Sequence, residues 1–235
     1  MARTAHLALM GAFEFRQDGT AVELPASVQR VLAFLALHPR PLRRLYVAGQ
    51  LWLDASEAHA SGSLRSALWR LHRRCGDVVH AHGAELELAP WVQVDVRRFA
   101  ALASQLAEPG HTATLAEVRE LCASDDLLPD WYDAWLDSER ERFRQIRLHA
   151  LERTCERLTG EGRHEDALQA GLAAVHADPL RETAHRAMIR MHLAEGNATE
   201  AVRQYDAWTR LVSETLGVSP SRELRRLLED GVAQR

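Results

Sequence analysis

Short apolar runs separated by turn residues open the chain: Leu7-Ala8-Leu9-Met10, then Ala12-Phe13-Glu14-Phe15, then Ala21-Val22-Glu23-Leu24. Between the last two lies Arg16-Gln17-Asp18-Gly19-Thr20. Asp-Gly at such a position favours a tight hairpin, because both residues tolerate positive φ. A small antiparallel sheet is therefore predicted. Pro25 stops the last strand and Ser27 offers an N-cap oxygen, after which Val28, Val31, Leu32 and Leu35 recur at helical spacing up to His38-Pro39.

Beyond Pro39-Arg40-Pro41, the positions Leu42, Leu45, Val47, Ala48, Leu51 and Trp52 predict a second short helix, closed by a polar break over residues 54–59. A third helix runs from about Ala60 to Cys75 and ends at Gly76-Asp77. Val78-Val79-His80 and Glu85-Leu86-Glu87-Leu88 flank the turn Ala81-His82-Gly83-Ala84, which reads as a second hairpin. Strands, three helices and a hairpin follow one another in the order of a winged helix.

From Asp95 onward the periodicity is helical throughout, with breaks at Pro109-Gly110, Pro129, residues 160–162, Pro179, Gly196-Asn197 and Gly217. Within this half Glu161-Gly162 recurs as Glu195-Gly196, and Glu165-Asp166-Ala167-Leu168 recurs as Thr199-Glu200-Ala201-Val202, both 34 residues on. That is the tetratricopeptide period, in which a helix pair buries its apolar face only by stacking on its neighbours. The expected architecture is mainly α: a winged helix-turn-helix with small β-sheets in residues 1–95, then an all-α tetratricopeptide-like domain in residues 96–235. The tryptophans at 131 and 135, four apart, are expected to pack in a helix core.

Composition narrows the class. Of 235 residues, 46% are hydrophobic and 26% charged, ordinary globular values that exclude a disordered chain. No apolar run approaches the roughly eighteen residues needed to span a bilayer, and the short stretch over 7–15, broken by Glu14, reads as a strand and not as a signal peptide. The cysteines at 75, 122 and 155 are odd in number and far apart, which fits reduced thiols in a cytoplasmic protein. All 29 basic residues are Arg, a bias first attributed to genome composition. The net charge of −4 is uneven: residues 1–95 carry ten Arg against nine acids, net +1, and residues 96–235 carry net −5.

What basic charge there is concentrates on the third helix. With successive residues 100° apart, Leu64, Ala67, Leu68, Leu71 and Cys75 form an apolar stripe, and Ser66, Trp69, Arg70 and Arg73 face the opposite way. Arg65, His72 and Arg74 lie on the flanks. In a winged helix this is the helix that enters the major groove. Groove-facing Arg can hold guanine O6 and N7, and flanking Arg can hold phosphates. Arg70, Ser66 and Trp69 are accordingly placed near bases, and Arg65, Arg73 and Arg74 mainly on phosphates. A solvated face on an amphipathic helix is the plainer alternative for the Arg set, and contact with the wing or the second domain the alternative for Trp69. Arg43 and Arg44, at the start of the second helix, add phosphate contacts where N-terminal amides already favour anions, and His82 with Gly83 forms the tip of a wing near the backbone or minor groove.

Catalytic arrangements are absent from the pattern. His80-x-His82 could hold a metal, but no Cys or acid pair at ligand spacing accompanies it, and His164-Glu165 lacks the second His of a zincin helix. There is no Gly-rich phosphate loop and no Gly-x-Ser-x-Gly elbow. Neither an enzyme nor a cofactor is expected. A protein-interaction scaffold remains the competing class, although it has no need for Arg65, Arg70, Arg73 and Arg74 together.

In order and over nearly its full length the chain resembles the Streptomyces antibiotic regulatory protein family, in which an OmpR-type winged helix precedes a bacterial transcriptional activator domain. The likeness is carried by Leu45-x5-Leu51-Trp52, by Ser63-Leu64-Arg65-Ser66-Ala67-Leu68-Trp69-Arg70-Leu71, and by Val94-Asp95-Val96. Leu128-Pro129-Asp130-Trp131-Tyr132, Ser138-Glu139-Arg140-Glu141-Arg142 and Leu148-His149-Ala150-Leu151-Glu152 look like the first long helix of the second domain. The most specific stretch is Asp178-Pro179-Leu180-Arg181-Glu182, continued by residues 184–191, by Ala201-Val202-Arg203-Gln204-Tyr205 and by Glu214-Thr215-Leu216-Gly217-Val218-Ser219-Pro220. Family members usually carry an Arg on each side of the leucine at 71; here Arg70 is kept and His72 replaces the second. The resemblance, which is to the short members, implies a transcriptional activator of a secondary-metabolite gene cluster. It also implies binding to direct repeats in double-stranded promoter DNA, two copies head to tail, and contact with RNA polymerase.

Overall fold

The computed structural model describes residues 4–108 and 110–233; Pro109, named above as a break, lies outside them. The chain divides into two compact units, Met1–Ala100 with Asp125–Arg142, and Ala101–Ser124 with Phe143–Arg235. No helix among the described residues is long and apolar enough to cross a membrane.

The first unit runs β1 (Ala5–Ala8), β2 (Glu14–Gln17), β3 (Thr20–Ala21), α1 (Ala26–Leu37), β4 (Leu42–Arg43), α2 (Arg44–Leu51), α3 (Glu57–Cys75), β5 (Val79–His82), β6 (Glu85–Leu88) and β7 (Val92–Val94), and reaches into α4 (Asp95–Ala107). Asp18 and Gly19, both at positive φ, turn β2 into β3 as their sequence predicts. The first sheet has the order β3-β2-β1-β7, with β7 parallel to β1, and the second the order β4-β6-β5. Leu7 sits opposite both Phe15 and Val94, so one face of the first sheet is apolar and buried. α1 is enclosed along most of its length, from Val28 through Leu37.

Three local expectations are corrected. Ser27 does not cap α1: Pro25 holds that position, and its carbonyl accepts from the amides of Val28 and Gln29. Leu42 and Arg43 are not helical but form β4, opposite Leu86 and Glu85, because a distant sheet partner outweighs local periodicity and buries Leu42 completely. Residues 128–133 precede α6 (Ala134–Gly160) as an irregular segment, so the two tryptophans do not share one helix.

That segment docks within the first unit. Met10 bridges to Leu127, the Gly11 amide donates to Asp126 at 2.7 Å, and the Leu128 amide donates to Leu9 at 2.9 Å. Trp131 stacks on Phe13, and Trp135 meets Phe34 edge-on with ring centroids 5.1 Å apart. Arg140 gathers the carbonyls of Leu127, Leu128 and Trp131, while Arg30 pairs with Asp133 at 2.5 Å. Asp95 accepts the amides of Leu9 and Met10 at 2.8 and 2.9 Å; burial pushes its carboxyl up and these bonds oppose the push. Arg97 closes α1 by donating to the otherwise orphaned carbonyls of Leu35 and Ala36.

The second unit includes the later part of α6, with α5 (Leu115–Cys122), α7 (His164–Ala177), α8 (Glu182–Glu195), α9 (Ala198–Leu216) and α10 (Arg222–Ala233). The 34-residue repeat is real in space: Gly162 precedes α7, Gly196 precedes α9, and both have positive φ. Two ion pairs join residues 34 apart, Arg144 to Asp178 at 2.7 Å and Glu156 to Arg190 at 3.0 Å, as equivalent positions on stacked repeats require. Gly171 lets α7 approach α8, since a Cβ there would lie 2.3 Å from the Met188 sulfur. Ile189, Ala201, Trp208, Val212 and Leu224 form one buried cluster.

The stretch Asp178-Pro179-Leu180-Arg181-Glu182 is a set of clasps. Asp178 holds Arg144, Arg181 holds the buried Glu152 at 2.6 Å, and Glu182 accepts the amide of Ser221. Pro179 offers its carbonyl to His185 Nε2 at 2.9 Å, while His185 Nδ1 faces Gln204 Nε2 at the same distance. A neutral His185 protonated on Nε2 satisfies both contacts.

Two outcomes follow from this unit. Arg181→Met strands a buried carboxylate and should cost about 3–5 kcal/mol in a urea titration; a loss within experimental scatter would show that the pair holds nothing. Burial lowers the His185 pKa from 6.5, against the Pro179 carbonyl and Asp178, which raise it. The unfolded chain therefore takes up the proton first, so stability is full above pH 6.5 and declines as pH falls below it. The melting temperature should drop over that interval in the wild type and drop less in His185→Gln; equal slopes would refute the assignment.

Candidate nucleic-acid interface

α3 begins three residues earlier than its periodicity suggests, because Ser56 caps it and accepts the His59 amide at 3.4 Å. Ala60, Leu64, Ala67, Leu71 and Cys75 are buried, and Leu68 half-buried. This stripe faces α1 and α2, so the opposite surface points outward. Ser66, Trp69, Arg70 and Arg73 are exposed there, and Arg65 and Arg74 are exposed on its two flanks.

Trp69 is 60% exposed, and the Arg73 guanidinium lies over its ring at 5.3 Å from the centroid. The two are four apart, one helical turn, so each side chain orders the other through a cation–π contact. His72 Nδ1 lies 3.1 Å from Asp77 Oδ1. Among the described residues, Arg65, Arg70 and Arg74 have no carboxylate within ion-pair distance, and Arg73 and Arg74 sit in the last turn, where the helix dipole favours cations. Arg65, Ser66 and Arg70 also line an open hollow of about 720 Å³ with Trp52, His59 and Ser63.

The remaining expected contacts are placed differently. Arg43 is an exposed strand residue opposite Glu85. The Arg44 amide, expected to favour an anion, donates to Ala84 at 2.8 Å, and its Nε reaches the Gly83 carbonyl at 3.3 Å. Arg44 thus ties the wing turn to the start of α2. The turn itself is Gly83-Ala84, closed by the pair His82 and Glu85, so His82 is the last residue of β5 and is exposed.

Sequence spacing alone did not supply a third ligand for His80 and His82, but the hairpin does. His80 is opposite Glu87, and His82 Nε2 lies 3.5 Å from Glu87 Oε1. The three ligand atoms lie within 4.8 Å of one another. A strand-register argument over β5 and β6 would have found Glu87; a search for fixed spacings could not.

The profile of the bacterial transcriptional activator domain matches residues 94–230. The regulatory protein AfsR of Streptomyces coelicolor is 26% identical over 239 residues, a match covering 93% of this chain and 23% of AfsR. The chain thus spans less than a quarter of that relative. Among solved structures, Mycobacterium tuberculosis EmbR, determined in complex with a low-affinity phosphopeptide, superposes with a TM-score of 0.79 at 20% identity, over 100% of this chain and 66% of that one.

Proposed function

The chain belongs to the family of the bacterial transcriptional activator domain, that of the Streptomyces antibiotic regulatory proteins, and on that premise we propose that it activates transcription by reading promoter DNA with the outward face of α3. It is a transcription regulator and not an enzyme. The observation that carries the reading of DNA is the exposure on α3 of Arg70 and of Arg73 over Trp69 on the outward face, with Arg65 and Arg74 on its two flanks, Arg65, Arg70 and Arg74 having no carboxylate partner among the described residues.

The roles divide by position. Arg70 and Ser66 reach base edges, with Trp69 against a thymine methyl or sugar, and Arg65, Arg73 and Arg74 hold phosphates. Arg43 and His82 add backbone contacts at the wing, and Arg44 sets the wing against α2. Residues 1–95 form the reader and residues 96–235 the activator domain, whose net charge of −5 suits a protein surface better than DNA. The partner this fits is RNA polymerase at a promoter whose direct repeats seat two copies head to tail, and secondary-metabolite genes are the targets the family resemblance favours. The three free cysteines suit the reducing cytoplasm.

Gel-shift titrations on promoter fragments, repeated over a salt series, test this. Arg70→Ala should cost roughly 1–3 kcal/mol on specific sites and relax base preference; Arg73→Ala should weaken all sequences alike and lower the salt slope by about 1. Absence of any sequence-specific retardation by the intact chain would sink the proposal and favour the scaffold.

A further inference from the structure

The hairpin β5–β6 carries a set of donors of which the proposed contact with DNA uses one, His82. In its register His80 faces Glu87 and His82 faces Glu85, so these four side chains share one surface of the ribbon. Val79, Ala81, Leu86 and Leu88 take the other, where Leu86 and Leu88 are buried. Residues two apart on a strand and directly opposite across an antiparallel pair are near neighbours, which is why His80, His82 and Glu87 converge.

Their geometry suits a transition-metal ion. Ligand atoms about 2.0–2.1 Å from a tetrahedral zinc lie roughly 3.3 Å apart; His82 Nε2 and Glu87 Oε1 are already 3.5 Å apart. The His80 and His82 rings meet edge to face at 83°, with centroids 6.0 Å apart. All three ligand atoms fall within 4.8 Å, so side-chain rotations of about an ångström close the set. Two imidazoles with one carboxylate favour zinc and its first-row neighbours, since magnesium and calcium take oxygen ligands.

We propose that His80, His82 and Glu87 bind one divalent transition-metal ion of the zinc type, with water completing the coordination. β5 is the edge strand of its sheet, and an ion holding ligands from both β5 and β6 staples that edge. The hairpin is thereby stiffened where it otherwise depends on backbone ladder bonds and on Arg44. Glu85 lies next on the same surface, opposite His82. Metal binding engages His82, which the proposed function places at the DNA backbone, but does not require DNA.

The test uses the full chain, freed of metal by a chelator and titrated without DNA. Calorimetry with Zn²⁺ should give one equivalent per chain, and Co²⁺ should give visible d–d absorption that Zn²⁺ abolishes. His82→Ala and Glu87→Gln should each weaken binding by more than the roughly 10–100-fold typical of losing a mere supporting group. Exposed His149→Ala should change nothing. Far-UV circular dichroism establishes that each variant is folded. Amide exchange over residues 79–82 should slow on adding Zn²⁺ to the wild type and stay unchanged in His82→Ala. No Zn²⁺ binding by the wild type, or binding that survives in the His80→Ala, His82→Ala double variant, would overturn the site.

Discussion

The burial of one stripe of α3 decides what the rest of the first unit can present. Ala60, Leu64, Ala67, Leu71 and Cys75 are all but inaccessible to water, and at roughly 25 cal/mol per Å² the apolar surface they withdraw strongly disfavours rotating the helix about its axis. With that face committed, Ser66, Trp69, Arg70 and Arg73 can only point outward. Small residues matter here as much as large ones, since Ala60 and Ala67 let the helix sit close to α1 and α2. The outward placement of the surface proposed to read DNA is thus a consequence of packing, and the charges are passengers on it.

In the second unit the governing constraint is stacking at a fixed period. A repeat that superposes on its neighbour every 34 residues places equivalent side chains one above another, and Arg144–Asp178 and Glu156–Arg190 turn that coincidence into ion pairs. Exposed pairs contribute little individually. The buried Glu152 with Arg181 and Thr183 contributes differently, because three groups satisfy one another where water cannot. The same stretch that marks the family in sequence therefore marks the joint between its helices.

Local pattern made much of this legible. The Asp18-Gly19 hairpin, α1, the burial of the α3 stripe and the 34-residue repeat all rest on interactions within a few residues or on strict periodicity. What escaped is long-range: β4 exists because Leu42 finds Leu86, β7 because Val94 finds Leu7, and the segment over 125–133 is ordered by Leu9, Phe13 and Arg140. The four-residue spacing predicts Trp131 and Trp135 in one helix core, yet Trp131 precedes the helix and stacks on Phe13, a partner more than a hundred residues away. Of the candidate interface, the exposure of the α3 residues is legible because a helical wheel suffices. The engagement of Arg44 by Gly83 and Ala84 is not, since it depends on where the wing folds back.

That difference bears on the proposed contact with DNA. The wing is poor in free cations: Arg44 is tied to the turn, Arg43 sits opposite Glu85, and His82 lies beside Glu87. Two carboxylates on this hairpin disfavour close approach to phosphates, so on the proposed reading the burden falls on Arg65, Arg70, Arg73 and Arg74. Each phosphate neutralised contributes on the order of 0.9 to the salt slope, and three or four guanidinium groups make a weak clamp. A single copy that held DNA through so few charges would gain most from a second copy on an adjoining site, where binding of one raises the effective concentration of the other. The sparse charge of α3 therefore fits the proposed pairing of copies on direct repeats better than a lone module.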